Sequence, residues 1–340
     1  MFIGIITEWN SYLDKFSPED IDIYYTEEYV KLYETSVDKA LCFIYEDNDF
    51  VMLMPFHRRE IESFFDFETP YGYGGPIFNQ NCKTSINKAL IAMCNYFHDN
   101  TYIAGFVRFH PLLGNANKCN EVIPVLDDRQ TIAIDTSLSE DEIWSAEINT
   151  KNRNTIRRAQ KAGLLFEADQ KFHYLKNFIE LYNHTMQRLS ADEFYFFSEK
   201  YYYDFSESLS NNSFLGVVKY ENKIIAAAIF MYSQCYGHYH LSGSDKDFQN
   251  LSPNNLLLFE AAKELKRRGI KKFHLGGGSD SDPKNSLLEF KSRFGKEHCQ
   301  FSIGKLIFNE SAYQNICRSW ILKNPQKVNT HKNILLKYRY

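Results

Sequence analysis

Hydrophobic residues recur with two different periods along this chain, which predicts a mixture of strands and helices. In the first part of the chain, the turn residues Asp47 to Asp49 separate two alternating runs and therefore predict a β-hairpin. The strands expected here are residues 2–6, 40–45, 50–56, 102–110, 121–126 and 129–135, and the helices are residues 8–16, 26–34 and 84–98.

A second series of elements follows a polar stretch at residues 136–150. Ser252 and Pro253 begin a predicted helix as N-cap and first helical residue, and Gly269 ends it. Helices are expected at residues 175–189, 196–209, 253–268 and at the C-terminus, and strands at residues 214–220, 224–232, 235–242, 271–275 and 298–308.

The two series resemble each other. Each has a Tyr- or His-rich segment with glycine, at 71–75 and 238–243, before a helix and a strand. That strand then ends in a basic residue, Phe and His, at 108–110 and 272–274. We infer a duplicated α/β unit with mixed sheets, divided into domains at residues 1–145 and 146–310, with a C-terminal helix and basic tail at 311–340.

The composition limits which binding partners and which cellular compartment are expected for this chain. The net charge of −4 and pI near 6.2 argue against a surface built to bind nucleic acid throughout, and no DNA partner is expected. The seven cysteines are scattered without a CxxC pair, which favours reduced thiols over a disulfide framework or a zinc site. Without a signal-peptide pattern or an apolar run of about 18 residues, the chain is expected to be cytoplasmic.

Three segments are candidates for chemistry. Residues 151–161 carry five basic side chains and no acidic one, and suit either phosphate binding or a solvated basic face (Lys151, Arg153, Arg157, Arg158 and Lys161). His238 and His240 lie two residues apart on one face of a predicted strand. They could be hydrogen-bonded structural residues, or one of them could act as a base. No metal site is expected, because the nearby sequence offers no third and fourth ligand. The glycines at 276–278 suit a sharp strand-to-helix turn or the close approach of a ligand.

Several motifs resemble the Fem family of peptidoglycan bridge aminoacyltransferases and related GNAT-like acyltransferases. The motifs are TPYGYGGP (69–76), RFHPL (108–112), KNRNTIRRAQKAG (151–163), the stretch 182–197, HYHLSGS (238–244), and FHLGGG with SLLEFKSRF (273–294). The resemblance implies two tandem GNAT-like domains that face a shared cleft. It also implies transfer of an aminoacyl or acyl group to a primary amine of a cell-envelope precursor or nucleotide-linked sugar.

The resemblance assigns roles to individual residues. Lys291 would stabilise the oxyanion of a tetrahedral intermediate or hold a phosphate, although a surface lysine on an amphipathic helix fits the pattern too. His238 or His240 would be the base. The substrate would contact Phe290, Lys151, Arg153, Arg157, Arg158, Tyr71, Tyr73, Arg108, His110, Gly276 and Gly277.

Two departures leave the acyl donor open between aminoacyl-tRNA, which we slightly prefer, and acyl-CoA. The segment 245–252 lacks the glycines of a pyrophosphate loop, and the chain lacks the helical-hairpin arm of some Fem enzymes. Only residues 151–161 and 323–339 are basic enough to bind tRNA or an anionic membrane surface. The expected acceptor is a small molecule or a lipid-linked precursor that bears phosphate. No permanently bound cofactor is expected. The alternatives are an acyl-CoA-dependent N-acetyltransferase of surface polysaccharide biosynthesis and a non-catalytic GNAT-like binding module.

Overall fold

The structure, a computed structural model, describes residues 1–340 and contains two compact units. Unit 1 comprises Met1–Asp128 and Phe301–Tyr340, and unit 2 comprises Arg129–Gln300. The C-terminal segment, which the sequence sets apart at residue 311, is part of unit 1 because Tyr313 and Ile316 pack against the buried residues Ile103 and Ala104. The mixed α/β architecture is confirmed, whereas the shared cleft stays a prediction.

Unit 1 combines a mixed sheet with helices. Its strands are β1 (Phe2–Ile6), β2 (Asp38–Asp47), β3 (Phe50–Ile61), β4 (Phe64–Glu68), β5 (Ile77–Phe78), β6 (Tyr102–Arg108), the start of β7 (Val125–Asp135) and most of β13 (Glu297–Ile307). Its α-helices are α1 (Asn10–Leu13), α2 (Glu27–Lys31), α3 (Lys83–Asp99), α4 (Asn115–Cys119), α11 (Glu310–Lys323) and α12 (Val328–His331). Short 3₁₀ segments are Ile23–Tyr25, Pro325–Lys327 and Lys337–Arg339. The strand order is β1-β2-β3-β4-β6-β13, with β5 beside β3, and the β4–β6 pair is parallel.

Aromatic residues build the core of unit 1. Phe97, on the buried face of α3, lies 4.6 Å from the Phe67 ring and 5.4 Å from the Phe56 ring. Gly105 of β6 makes room for this cluster, since a Cβ atom there would lie 2.2 Å from the Phe67 ring. The predicted helix 84–98 is thus confirmed, and its apolar stripe covers the sheet.

Unit 2 holds a second mixed sheet. Its strands are most of β7, β8 (Leu165–Asp169), β9 (Ser213–Tyr220), β10 (Lys223–Tyr232), β11 (Tyr236–Ser244), β12 (Lys272–Gly277) and the start of β13. Its α-helices are α5 (Glu140–Glu142), α6 (Thr150–Lys161), α7 (Leu175–Arg188), α8 (Glu199–Ser208), α9 (Pro253–Arg267) and α10 (Ser286–Lys291). A π-helical turn (Ile143–Glu147) and 3₁₀ segments (Glu193–Tyr195 and Lys246–Leu251) complete it. The order is β7-β12-β11-β10-β9-β8, and only β11 and β12 are parallel.

Helix α7 lies directly against β11. A Cβ atom at Gly243 would come within 2.4 Å of the Leu181 carbonyl carbon, so only glycine permits this approach. The Ser244 N–H donates to Thr185 Oγ1 at 3.0 Å. These contacts fix the end of β11, from which the chain continues toward α9.

Most predicted elements are confirmed, with several corrections. Val125–Asp135 forms one strand instead of the two expected at residues 121–126 and 129–135, and Ser302 Oγ donates to Asp127 Oδ1 at 2.8 Å within it. Helix α2 ends at Lys31 instead of residue 34, and β5 and α4 were not expected. The sequence missed β4 and β8, whose segments FFDFE and LFEAD contain no β-branched residue. Helix α1 ends at Leu13, before the predicted end at Phe16.

No helix combines the length and the apolar character needed to cross a membrane.

Candidate functional site

In unit 2 the two parallel strands β11 and β12 separate before they end. Their pairing stops at His238 and His274, although β11 continues to Ser244. Strand β12 pairs with β7 from Lys272 to Gly277, so beyond this point β7 is its remaining partner, with Gly276 opposite Ile132. The carboxyl ends of parallel strands are common ligand sites in α/β proteins, and this separation leaves their edges unpaired with each other.

A β-bulge lies at His240. Ile229 faces Leu241 and Phe230 faces Tyr239, so the intervening His240 has no partner in the register. Regular alternation along the strand, which the sequence predicted for His238 and His240, is therefore interrupted at His240. A bulge of this kind changes the direction of the side chain.

The imidazole of His240 contacts two residues of α8. It stacks on Phe205 with 5.5 Å between ring centroids, and its Nε2 lies 3.0 Å from Tyr201 Oη in a hydrogen bond. Desolvation, followed by the charge that His238 would carry, lowers the pKa of His240 to about 3. His240 is therefore neutral at physiological pH and is a weak base there.

His238 is 1% exposed and lies edge to face with His274, with ring centroids 5.6 Å apart. His274 Nε2 is 2.9 Å from Thr131 Oγ1, so a hydrogen bond links β12 to β7. The predicted pair His238 and His240 thus belongs to a small group of histidines in which each ring is held by a neighbour.

Lys291 is the buried residue of α10. Its Nζ donates to the Gly277 carbonyl oxygen at 2.7 Å and lies 6.0 Å from the centroid of the Tyr239 ring. Burial lowers the pKa of Lys291 to about 7. A lysine with this pKa changes charge near neutral pH. Because only 8% of Lys291 is exposed, the alternative interpretation as a surface lysine is wrong.

The glycines after β12 shape the path to α10. Gly276 has φ of +75°, a conformation that favours glycine. A Cβ atom at Gly278 would lie 2.6 Å from Asn285 Oδ1, which accepts hydrogen bonds from Leu287 N and Leu288 N as the cap of α10. The glycines therefore let this cap sit against the end of β12 and place Lys291 beside Gly277.

Phe290, next to Lys291, packs its ring 5.3 Å from Phe294 at the edge of the core of unit 2. This packing fixes the orientation of α10.

The basic helix α6 splits into two groups of side chains. Arg153 donates through one guanidinium nitrogen to the carbonyl oxygens of Trp144, Ser145 and Ile148, so it caps the preceding helical turn. Arg157 is exposed and lies 5.1 Å above the Trp144 ring.

Lys151 and Arg158 are also exposed on α6, and Arg158 donates to Thr155 Oγ1 at 3.3 Å. Together with Arg157 and Lys161, which is also exposed, they are the accessible members of the predicted phosphate-binding group.

In unit 1, Arg108 is held by residues at the end of the neighbouring strand β4. Its guanidinium donates to Glu68 Oε2 and to the Thr69 carbonyl oxygen, each at 2.9 Å. Desolvation opposes ionisation of the half-buried Glu68 carboxyl, but Arg108 and Arg59 outweigh this effect and lower its pKa.

His110 forms a buried pair with Asp22, whose Oδ2 lies 2.7 Å from His110 Nε2. The Leu112 N–H donates to His110 Nδ1 at 3.2 Å, so Nδ1 accepts and Nε2 carries the proton donated to Asp22. The pair links the 3₁₀ segment Ile23–Tyr25 to the end of β6.

Tyr71 and Tyr73 lie in an aromatic cluster of unit 1. Tyr73 is 5.3 Å from Tyr24 and 5.6 Å from His110, and the Tyr71 carbonyl oxygen accepts from Tyr29 Oη at 2.7 Å. Both tyrosines are half-buried. The structure thus brings together Tyr73 and His110, and their predicted contact with substrate stays a prediction.

Sequence reasoning missed four residues of these surroundings. They are Tyr201 beside His240, Tyr239 beside Lys291, Asn285 as the cap of α10, and Asp22 beside His110. An Asn three residues before Leu288 is a recognisable helix-cap signal. The other three contacts depend on tertiary packing and leave no local pattern.

Part of this chain is similar to a known protein domain. Residues 149–292 match the model of the acetyltransferase (GNAT) domain, which includes the separated strands and Lys291. No curated protein sequence matches the chain.

Solved structures share the fold over most of the chain. The structure of FemX aligns with a TM-score of 0.73 and 14% identity over 92% of this chain and 99% of that chain. The C-terminal domain of a putative lysylphosphatidylglycerol synthetase from Agrobacterium fabrum aligns with a TM-score of 0.58 and 12% identity over 95% of each chain. A tandem GNAT protein from the clavulanic acid biosynthesis pathway gives 0.52 and 6% identity over 91% of this chain and 99% of that chain.

These likenesses confirm the two GNAT-like domains expected from the repeat. Residues 149–292 therefore match the GNAT acetyltransferase domain, and the chain as a whole shares its fold with FemX, as its motifs predicted.

Proposed function

We propose that unit 2 transfers an aminoacyl or acyl group from an activated ester or thioester to a primary amine of a cell-envelope precursor or nucleotide-linked sugar. The observation that carries this proposal is the buried amine of Lys291 at the end of β12, next to the point where β11 and β12 separate. The oxyanion of acyl transfer is stabilised by hydrogen-bond donors or positive charge held away from water, and Lys291 supplies both when protonated.

The proposed reaction is direct attack. The acceptor nitrogen attacks the carbonyl carbon of the donor, a C–N bond forms, and the carbonyl oxygen becomes an oxyanion. The C–O or C–S bond to the leaving group then breaks, and the leaving oxygen or sulfur takes up the proton that the nitrogen loses. Lys291 stabilises the oxyanion.

The acceptor attacks as a neutral amine, so a base must take a proton from its ammonium form before attack or from the nitrogen as the C–N bond forms. The low pKa of His240 makes its imidazole a weak base near neutral pH. We therefore assign His240 and Tyr201 the role of holding the bulged part of β11 in place, and His238 is the other candidate base.

The surroundings of α9 support aminoacyl-tRNA as the donor over acyl-CoA. A pyrophosphate site at a helix start uses free backbone N–H groups. Here Pro253 has none, and the Asn255 N–H already donates to the Ser252 carbonyl oxygen at 3.1 Å. The similarity in fold to FemX and to a lysylphosphatidylglycerol synthetase domain is consistent with an aminoacyl donor.

The acceptor is proposed to bear phosphate, as a small molecule or a lipid-linked precursor. Lys151, Arg157 and Arg158 are exposed on α6 and carry the charge that binds phosphate oxygens. Arg153 is excluded from this proposal because its guanidinium binds main-chain carbonyl oxygens before α6.

The test is turnover by the purified protein with charged tRNA or with acetyl-CoA, each with a panel of primary amines. Transfer from charged tRNA is expected, and transfer from neither donor contradicts the proposal. Lys291→Met should lower kcat by about 10² to 10³-fold, the effect of losing one oxyanion donor. Lys284→Met, which changes an exposed lysine before α10, should leave kcat unchanged.

The same variants distinguish an enzyme from a non-catalytic binding module. A binding module predicts that Lys291→Met preserves cellular function while Arg157→Gln abolishes it. Loss of function in Lys291→Met with phosphate-ligand binding intact supports catalysis.

A further inference from the structure

The C-terminal segment of unit 1 carries a strong local excess of positive charge. Residues 311–340 contain six of the 39 Lys and Arg residues and none of the 43 Asp and Glu residues of an otherwise acidic chain. Such an excess in one short segment attracts an anionic partner to this part of the surface.

Part of this charge is already used inside unit 1. Arg339 donates to Asp66 Oδ2 and to the Glu60 carbonyl oxygen, each at 2.9 Å. Arg339 therefore stabilises the fold. By contrast, no carboxylate pairs with Arg318, Lys323, Lys327 or Lys332.

Two exposed apolar side chains, Ile321 and Leu322, lie near these cations on α11. Helix α11 buries Tyr313, Ile316 and Trp320 on one face. On the opposite face Leu322 is 83% exposed, and Ile321 beside it is 38% exposed. Leu322 lies one turn after the exposed Arg318, so cation and leucine share a face of the helix.

The chain after α11 folds back toward the same end of the helix. The His331 ring lies 5.7 Å from the Trp320 ring, and the Trp320 indole N–H donates to the Tyr340 carbonyl oxygen at 2.9 Å. This return places Lys327 and Lys332, which flank His331, near the C-terminal end of α11. Compensation of the helix dipole accounts for Lys323 in the last turn but not for cations beyond the helix.

We propose that Arg318, Ile321, Leu322, Lys323, Lys327 and Lys332, the α11 surface, bind the anionic face of a lipid bilayer. The cations attract the phosphate headgroups, and the two apolar side chains enter the boundary between headgroups and acyl chains. An RNA partner would use the same cations but gives no role to an exposed aliphatic leucine, since single strands are bound by aromatic stacking. The lipid surface is therefore the partner that explains both features.

Co-sedimentation of the full chain with vesicles tests this proposal without any acyl donor or acceptor, so its outcome is separate from that of the transfer assay. The protein is expected to bind vesicles of phosphatidylglycerol and phosphatidylcholine, and to bind weakly to phosphatidylcholine alone. Lys323→Gln combined with Lys327→Gln should weaken binding about 30-fold, since each charge contributes about 1 kcal/mol. Leu322→Ser should weaken it about tenfold.

Matched controls come from elsewhere on the surface. Leu165→Ser replaces a leucine that is 68% exposed on β8, and Lys83→Gln with Lys176→Gln removes two exposed lysines. These variants should bind vesicles as the unchanged protein does. Equal binding to neutral vesicles overturns the proposal, as does binding unaffected by the α11 changes. Binding of tRNA that needs Lys323 and Lys327, with no vesicle binding, overturns it in favour of RNA.

Discussion

The side chain of Lys291 donates a 2.7 Å hydrogen bond to the carbonyl oxygen of Gly277. Strand β12 ends at Gly277 and helix α10 ends at Lys291, so this bond closes the polar connection between the two elements. Because burial lowers the pKa of the amine to about 7, the bond joins a group whose charge changes near physiological pH.

Stability is expected to rise with pH because of Lys291. The unfolded chain keeps this proton up to the ordinary pKa of 10.5, whereas the folded protein releases it at about 7. Between these values the unfolded state binds more protons, so the free energy of unfolding increases by about 1.4 kcal/mol per pH unit. Urea denaturation of Lys291→Met at pH 8 and 9 should show an increase smaller by about that amount.

Lys284→Met is the control for this measurement, because an exposed lysine keeps the same proton in both states at these pH values. An unchanged pH dependence in Lys291→Met would show that the amine is not buried in solution.

Arg153 and Arg157 should respond differently to replacement by glutamine. Arg153 caps three main-chain carbonyl groups, so Arg153→Gln should lower the free energy of unfolding by about 2 kcal/mol. Arg157→Gln removes an exposed side chain above Trp144 and should cost less than about 1 kcal/mol. Thermal and urea denaturation compare the two variants, and equal losses would contradict the division of α6 into structural and accessible arginines.

Gly243→Ala is expected to destabilise unit 2 strongly. The added Cβ atom would meet the main chain of Leu181 at 2.4 Å, and a backbone cannot move aside as a flexible side chain can. We expect a loss of about 3 kcal/mol, measured by urea denaturation.

Gly163→Ala provides the comparison, because no atom lies within 4 Å of the place that its Cβ atom would take, and only the φ of +89° opposes the change. Its expected loss is about 1 kcal/mol. If both variants lose the same stability, close packing of α7 on β11 is not the reason for Gly243.

Asn115 should stabilise the loop before β5. Its Nδ2 donates to the Gly74 carbonyl oxygen at 2.8 Å, and its Oδ1 accepts from the His110 N–H at 3.1 Å. Asn115→Ala leaves both groups buried without this partner and should cost about 2 to 3 kcal/mol in urea denaturation. Asn115→Asp keeps the acceptor but places a carboxylate against the Gly74 oxygen, so it should cost more than alanine does; a smaller loss would contradict the donor role of Nδ2.

Most elements of the fold could be predicted because their signals are local. The alternation around Asp47 to Asp49 specified the β2–β3 hairpin, and Ser252, Pro253 and Gly269 marked both ends of α9. Strands β4 and β8 escaped prediction because they are short, lack β-branched residues and are interrupted by acidic ones. Pairing with β3 and with β9 stabilises them instead.

The mixed α/β class, the repeat and the Fem-like motifs could all be predicted from residue order, since periodicity and residue identity are local properties of the chain. Only the tertiary structure decided which candidate side chains are accessible or titrate near neutral pH. Burial lowers the pKa of Lys291, the bulge re-aims His240, and three carbonyl groups occupy Arg153. The environment that sets a charge is built from elements distant in sequence, as Tyr239 and Gly277 are from Lys291, so no local pattern could reveal it.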